Sequence, residues 1–402
     1  MLYAQSRTGI VFFCISLLVI QTATLVLKSE NNERNNKMKN KENQQPSGQQ
    51  PNRPQTPQGP FAYEQEEVCF ENKAAQVTLA GTLTLPQGKG PFPAIILVAG
   101  MGPNDRDYGM LGHKLFLVIA DYLTQRGVAV LRFDKRGVGK STGIYNGSLT
   151  SQDFADDVKA AIDYLKTRAD IDLQKIGLVG HSEGGMIVQM VAAQSKDVAF
   201  IVLVAAAGLL TDVDSVVEQI ASQLRADGSS EHMITEDKKI RKQLLETVKQ
   251  EEDCDLAAQQ MQKLLAGYWA NLPESLRAEA EKLPFALTSA KADQLIGMFN
   301  SPWYRFFLNY TLVDVLRQVV IPVLALNGDY DFITSSQKNL QVVAQALKEA
   351  GNKDYTILEL PNMNHWFQEC KTGSMAEYGT IEQTISPVVL EIIAKWVLER
   401  TK

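Results

Sequence analysis

The chain has 402 residues, of which 45% are apolar, enough to bury a large core and to exclude disorder over most of its length. A net charge of −6 leaves no basic surface for nucleic acid or an anionic membrane face, so small or neutral partners fit better. The four cysteines (Cys14, Cys69, Cys254, Cys370) form no CxxC pair and only four histidines accompany them, so neither a disulfide framework nor a metal site is indicated.

The first element is the apolar run from Ile10 to Ile20, broken only by Ser16 and extended through Leu27. Residues 1–28 therefore read as a signal peptide or short membrane anchor. The expectation is an exported protein, periplasmic or extracellular, held at the membrane only if that segment stays uncut. Charge pulls the other way: Arg7 precedes the run, while Lys28, Arg34, Lys37, Lys39 and Lys41 follow it, so a cytoplasm-facing orientation stays open. Residues 29–60, rich in Asn, Gln, Lys and Pro, lack the apolar surface that would offset chain entropy and read as a disordered linker.

Residues 61–402 read as one catalytic domain in which strands and helices alternate. Glu67 to Glu71 and Val77 to Leu85 suggest an antiparallel pair leading in. Ala94–Ala99, Val128–Phe133, Ile176–Val179, Phe200–Val204 and Val323–Leu326 are continuous apolar runs, as strands buried on both faces require. The clearest helix is Thr150 to Thr167, with Thr150 and Asp153 as a cap signature and Phe154, Val158, Ile162 and Leu165 on one face. This is the pattern of an α/β fold: a mostly parallel sheet with helices on both faces and ligands at the carboxyl ends of its strands. After Gly208 the alternation stops, and residues 209–317 read as an inserted helical cap over those strand ends.

The chemistry centres on Gly180-His181-Ser182-Glu183-Gly184, which joins a strand to a helix. Such a turn strains the serine and needs glycine two residues either side, because a Cβ there would strike neighbouring backbone. A serine hydroxyl needs a base, and the base an orienting carboxylate. Asp331 lies on the loop after the strand Val323–Leu326, and His365 on the loop after Tyr355–Leu360. Asp329 competes for the acid role, and Asp331 also reads as a cap for the helix near Ser335. His113, His181 and His232 are the other histidines, and His365 is the one placed for the base. The oxyanion donors are assigned to the backbone N–H groups of Glu183, at a helix N-terminus, and Met101, on a glycine-bearing loop. Asp105, Arg106 and Asp107 read as ion pairs shaping that loop.

Three segments, residues 98–107, 132–141 and 180–185, together with Ser301-Pro302-Trp303-Tyr304-Arg305-Phe306-Phe307, resemble the bacterial α/β-hydrolases grouped with esterase D and the serine aminopeptidase-like hydrolases. The similarity runs from about Glu66 to the C-terminus. It implies the α/β-hydrolase fold and cleavage of a small-molecule carboxylic ester through Ser182, Asp331 and His365, with a helical cap shaping the acyl pocket and no cofactor. Gly139-Lys140-Ser141 echoes a phosphate-binding loop, but Asp134 stands where its first glycine belongs. Two alternatives remain. An aminopeptidase would use the same triad, with Glu183 or the acidic run around Glu251 holding an amino group. A non-catalytic hydrolase-fold module would bind without turnover. The aromatic set Trp303, Tyr304, Phe306, Phe307 and Tyr310 reads either as acyl site or as packing. Oligomeric state is not legible.

Overall fold

The computed structural model describes residues 52–206, 211–283 and 287–402. The expected signal or anchor (1–28) and the linker up to residue 51 lie outside the described residues. Eight strands form one sheet: β1 (Glu64–Asn72), β2 (Val77–Leu85), β3 (Phe92–Val98), β4 (Ala129–Phe133), β5 (Ile171–His181), β6 (Phe200–Val204), β7 (Val323–Gly328) and β8 (Tyr355–Leu360). Their order is β1-β2-β4-β3-β5-β6-β7-β8. β1 and β2 pair antiparallel, β2 pairs antiparallel with β4, and all later pairings are parallel.

Alternation of side chains across the pleat divides the core into two layers. Ile95, Leu97, Val130, Val202 and Leu324 face one layer; Ala94, Ile96, Leu131, Ile201 and Val323 face the other. The first layer is covered by α1 (Leu115–Thr124) and the C-terminal helix, the second by α2 (Ser151–Lys166) and α3 (Glu183–Gln194). Helix α2 starts where the sequence marks it, with the Thr150 N–H donating to the Asp153 carboxylate at 2.9 Å.

Between β6 and β7 the described chain runs through α4 (Val213–Ala226), α5 (Glu231–Gln250), α6 (Cys254–Asn271), α7 (Glu274–Ala280), α8 (Ala292–Phe299), α9 (Pro302–Asn309) and α10 (Leu312–Leu316). Their caps are written in the sequence: Asp212, Ser230, Asp253 and Ser301 each accept a backbone N–H of the first turn. Apolar residues of α4, α5, α8 and α9 are continuous with the first layer of the core. After β7 come α11 (Ser336–Glu349), α12 (Met375–Tyr378) and α13 (Pro387–Thr401).

The chain is fastened to the domain earlier than the linker boundary at Pro60 suggests. The Arg53 guanidinium donates to the carbonyls of Leu111, Gly379 and Ile381, and Gln55 exchanges hydrogen bonds with Thr384 and Ile385. Polar side chains that satisfy loop carbonyls leave no mark in hydropathy, so composition alone gives no sign of this docking.

Candidate active site

The register aligns strand ends on one rim: Val98 pairs with Gly180, His181 with Val204, Val204 with Leu326, and Leu360 with Gly328. Ser182 follows β5 directly, at φ 58° and ψ −122°, a conformation that L-residues rarely adopt. The flanking glycines make this turn possible, since a Cβ on Gly180 would strike the Gly184 carbonyl and one on Gly184 the Val98 carbonyl. The Ser182 N–H donates to the Val204 carbonyl at 3.0 Å, and the Gly185 N–H to the Ser182 carbonyl at 2.9 Å. The serine is therefore fixed from both sides.

His365 Nδ1 lies 2.9 Å from Asp331 Oδ2. Asp331 also accepts from the Ile333 and Thr334 N–H groups, each at 2.9 Å, from Thr334 Oγ1 at 2.5 Å and from Asn327 Nδ2 at 3.2 Å. Burial on its own would raise the Asp331 pKa, but the adjacent His365 and the Thr334 bonds together hold it below the usual carboxylate range. An ionised Asp331 can only accept, so His365 carries a proton on Nδ1 and its Nε2 is turned away from the carboxylate. Asp331 thus serves as a loop cap and as the partner of His365 at once. Asp329 sits differently, with one carboxylate oxygen 3.4 Å from the Met363 N–H.

His181, the residue before Ser182, packs against His365. The His181 ring centroid is 4.8 Å from that of His365, and His181 Nε2 lies 2.8 Å from the His365 carbonyl. That carbonyl can only accept, so His181 is protonated on Nε2 and takes the Tyr108 hydroxyl on Nδ1, at 3.1 Å. Among the described residues Ser182 Oγ makes no hydrogen bond to His365, a contact that is often long in an unliganded site. His113 is fully buried, hydrogen-bonded to Thr384, Tyr378 and Gln368 and packed on the Trp366 ring, whose own neighbours include His181 and Tyr108. The supporting roles of His181 and Tyr108 are not apparent from the sequence. Their one legible mark is that His181 adjoins the serine at a strand end.

Among the described residues neither the Met101 nor the Glu183 N–H has a hydrogen-bond partner, as an oxyanion donor requires. Both residues line, with Ser182, a cavity of about 110 Å³ whose walls include Ile220, Trp303 and Phe307. Trp303, Tyr304 and Phe307 thus reach the cavity, whereas Phe306 and Tyr310 stack on each other at 4.8 Å and pack against the second core layer. Among the described residues Glu183 is the only charged residue in the lining, and its side chain is already engaged. It accepts from Ser151 Oγ at 2.7 Å and Trp303 Nε1 at 2.6 Å, and pairs with Lys135 Nζ at 3.4 Å.

Within the 105–107 segment Arg106 and Asp107 form the expected ion pairs, Arg106 with Asp134 and Glu67 and Asp107 with Arg132 and Lys114, whereas Asp105 forms none among the described residues and instead accepts the Asp107 N–H at 3.0 Å. Asp134 also accepts the Lys140 N–H at 2.9 Å, and a Cβ on Gly139 would strike it. A protein carboxylate thus fills the turn that a phosphate would occupy in a nucleotide-binding loop.

A family model described as serine aminopeptidase, S33, matches residues 109–368. Esterase EstD of Thermotoga maritima is 38% identical over 129 residues, which cover 32% of this chain and 30% of that protein. An uncharacterized protein of Pseudomonas aeruginosa, PA2218, is 28% identical over 136 residues, 33% of this chain and 34% of that one. The crystal structure of hypothetical protein PA2218 superposes over 90% of this chain and all of that chain, with a TM-score of 0.50 and 17% identity, a likeness of fold. The matched segment spans about a third of the length of these two curated relatives.

Proposed function

Because this chain belongs to the serine aminopeptidase S33 family of α/β hydrolases, we propose that it is a serine hydrolase cleaving carboxylic esters through an acyl-enzyme. In this reading Ser182 Oγ attacks the ester carbonyl while its proton passes to His365 Nε2, and Asp331 stabilises the resulting imidazolium. The carbonyl oxygen becomes an oxyanion facing the Met101 and Glu183 N–H groups. Collapse expels the alcohol, which takes the proton from His365, and water activated by the same imidazole then releases the acid.

The observation that carries the reading is the 2.9 Å His365–Asp331 pair, packed on His181, together with the strained serine that follows His181 and lines an apolar cavity. Ester is favoured over peptide by the state of Glu183, whose carboxylate is taken up by Ser151, Trp303 and Lys135 and is not free to hold a substrate amino group. At about 110 Å³ the cavity is smaller than the ~150 Å³ that accommodates benzene in an engineered core, which favours short acyl chains. p-Nitrophenyl esters of increasing chain length, set against aminoacyl anilides, test this. The expected result is a higher kcat/KM for short esters than for anilides; preference for anilides makes the protein a peptidase. The apolar run at Ile10–Ile20 is proposed to export or tether the enzyme, which fractionation of the expressing cell checks.

A further inference from the structure

Lys135 lies two residues after the end of β4 and is buried to 5% exposure at the rim that carries Ser182. Its Nζ donates to the Gly100 carbonyl at 2.6 Å, lies 3.4 Å from the Glu183 carboxylate and sits 4.2 Å above the Phe154 ring centroid. The Gly100 carbonyl is also bonded by Asn104 Nδ2 at 2.8 Å. That carbonyl belongs to the same trans peptide unit as the Met101 N–H, so the two groups point in opposite directions. Holding the oxygen back toward Lys135 therefore turns the Met101 N–H to the other side. There Met101 lines the Ser182 cavity, and a Cβ on Gly100 would lie 2.9 Å from Ser182 Cβ.

We propose that Lys135 is a positioning residue for the oxyanion hole: its ammonium orients and polarises the Gly100–Met101 peptide while its second contact secures the carboxylate of Glu183, the residue that supplies the other donor. Two effects operate. Fixing the carbonyl removes the rotation that would carry the N–H away from the developing oxyanion. A cation on the carbonyl oxygen also draws electron density from the amide, making its N–H a stronger donor in a site shielded from water. The Glu183 carboxylate, 3.4 Å away, offsets part of the cost of burying that charge. The inference rests on the ester-hydrolase reading, because an oxyanion hole has meaning only if an oxyanion forms.

The test compares wild type with Lys135→Met and Lys135→Arg in the full chain, using a short p-nitrophenyl ester and a trifluoromethyl ketone. Ser182 Oγ adds to the ketone carbonyl, its proton passing to His365, and the carbonyl oxygen becomes an alkoxide in the hole. Lys135→Met is expected to lower kcat roughly 10- to 100-fold with KM within about twofold, and to weaken the ketone by the same factor. Lys135→Arg, which keeps a cation, should recover part of both. Thermal melts check folding. Should Lys135→Met not fold, Lys135→Cys alkylated with bromoethylamine, which restores an ammonium, is compared with the same variant alkylated with iodoacetamide. Wild type treated in parallel corrects for the native cysteines. A folded neutral variant with unchanged kcat and ketone affinity overturns the role of Lys135, as does a loss confined to melting temperature or to KM. No ester turnover and no ketone adduct in wild type overturns the hydrolase reading, and the inference with it.

Discussion

The indole N–H of Trp303 donates to the Glu183 carboxylate at 2.6 Å, tying helix α9 to the residue that follows Ser182. The helices between β6 and β7 are thereby joined to the serine turn by a directed bond as well as by apolar contact. Replacing Trp303 with Phe keeps most of the packing and removes the donor, leaving Glu183 Oε1 with Ser151 alone. The variant is expected to lose about 1–2 kcal/mol of stability in urea unfolding. It should also lose several-fold in kcat/KM for short esters, because Trp303 lines the cavity. Unchanged values in both assays would mean that the bond holds nothing in place.

Ser182 is held at φ 58°, where a side chain costs of order 1–3 kcal/mol that glycine does not incur. Ser182→Gly should therefore be more stable than Ser182→Ala by about 1 kcal/mol, after allowing for the greater unfolded-state entropy of glycine. Both should be inactive on esters. Denaturant midpoints with equal slopes check the order, and an alanine variant as stable as glycine would show that the turn is relaxed.

Two histidines make stability depend on pH. Burial pushes the His181 pKa down to about 3 and the His113 pKa down to about 4, from an ordinary value of 6.5. Both are depressed in the folded state, so the stability they contribute is fully present above pH 6.5. It is lost as pH falls, because the unfolded chain binds protons that the folded chain does not. Between about pH 6 and pH 4 each should cost about 1.4 kcal/mol per pH unit. Unfolding free energies across that range should fall steeply, and His113→Gln should show roughly half the histidine contribution to the slope.

Much of this arrangement is legible in the sequence because it rests on local rules. The apolar runs at 94–99, 200–204 and 323–326 fall on β3, β6 and β7, since strands covered on both faces leave no polar positions to blur them. β5 begins at Ile171, five residues before the apolar run, because Asp172, Gln174 and Lys175 around a single exposed Leu173 give no hydropathy mark of a strand. The Asp331–His365 pair follows from loops after consecutive strands, since adjacent parallel strands bring their carboxyl-end loops together. What the sequence does not disclose are contacts between side chains and distant backbone: Lys135 on Gly100, His181 on the His365 carbonyl, Arg53 on Leu111. Such bonds have no period or spacing. The one mark Lys135 carries in the sequence is its place two residues after an apolar strand, on the rim where ligands bind.

Ester hydrolysis by this chain requires an activated hydroxyl at residue 182, and the most direct measurement is intact and peptide mass spectrometry after reaction with a fluorophosphonate. The expected result is one stoichiometric adduct on the peptide bearing Ser182, lost in Ser182→Ala and slowed at least about a thousandfold in His365→Ala. An unmodified Ser182 in folded protein, or labelling that persists undiminished without His365, would contradict it.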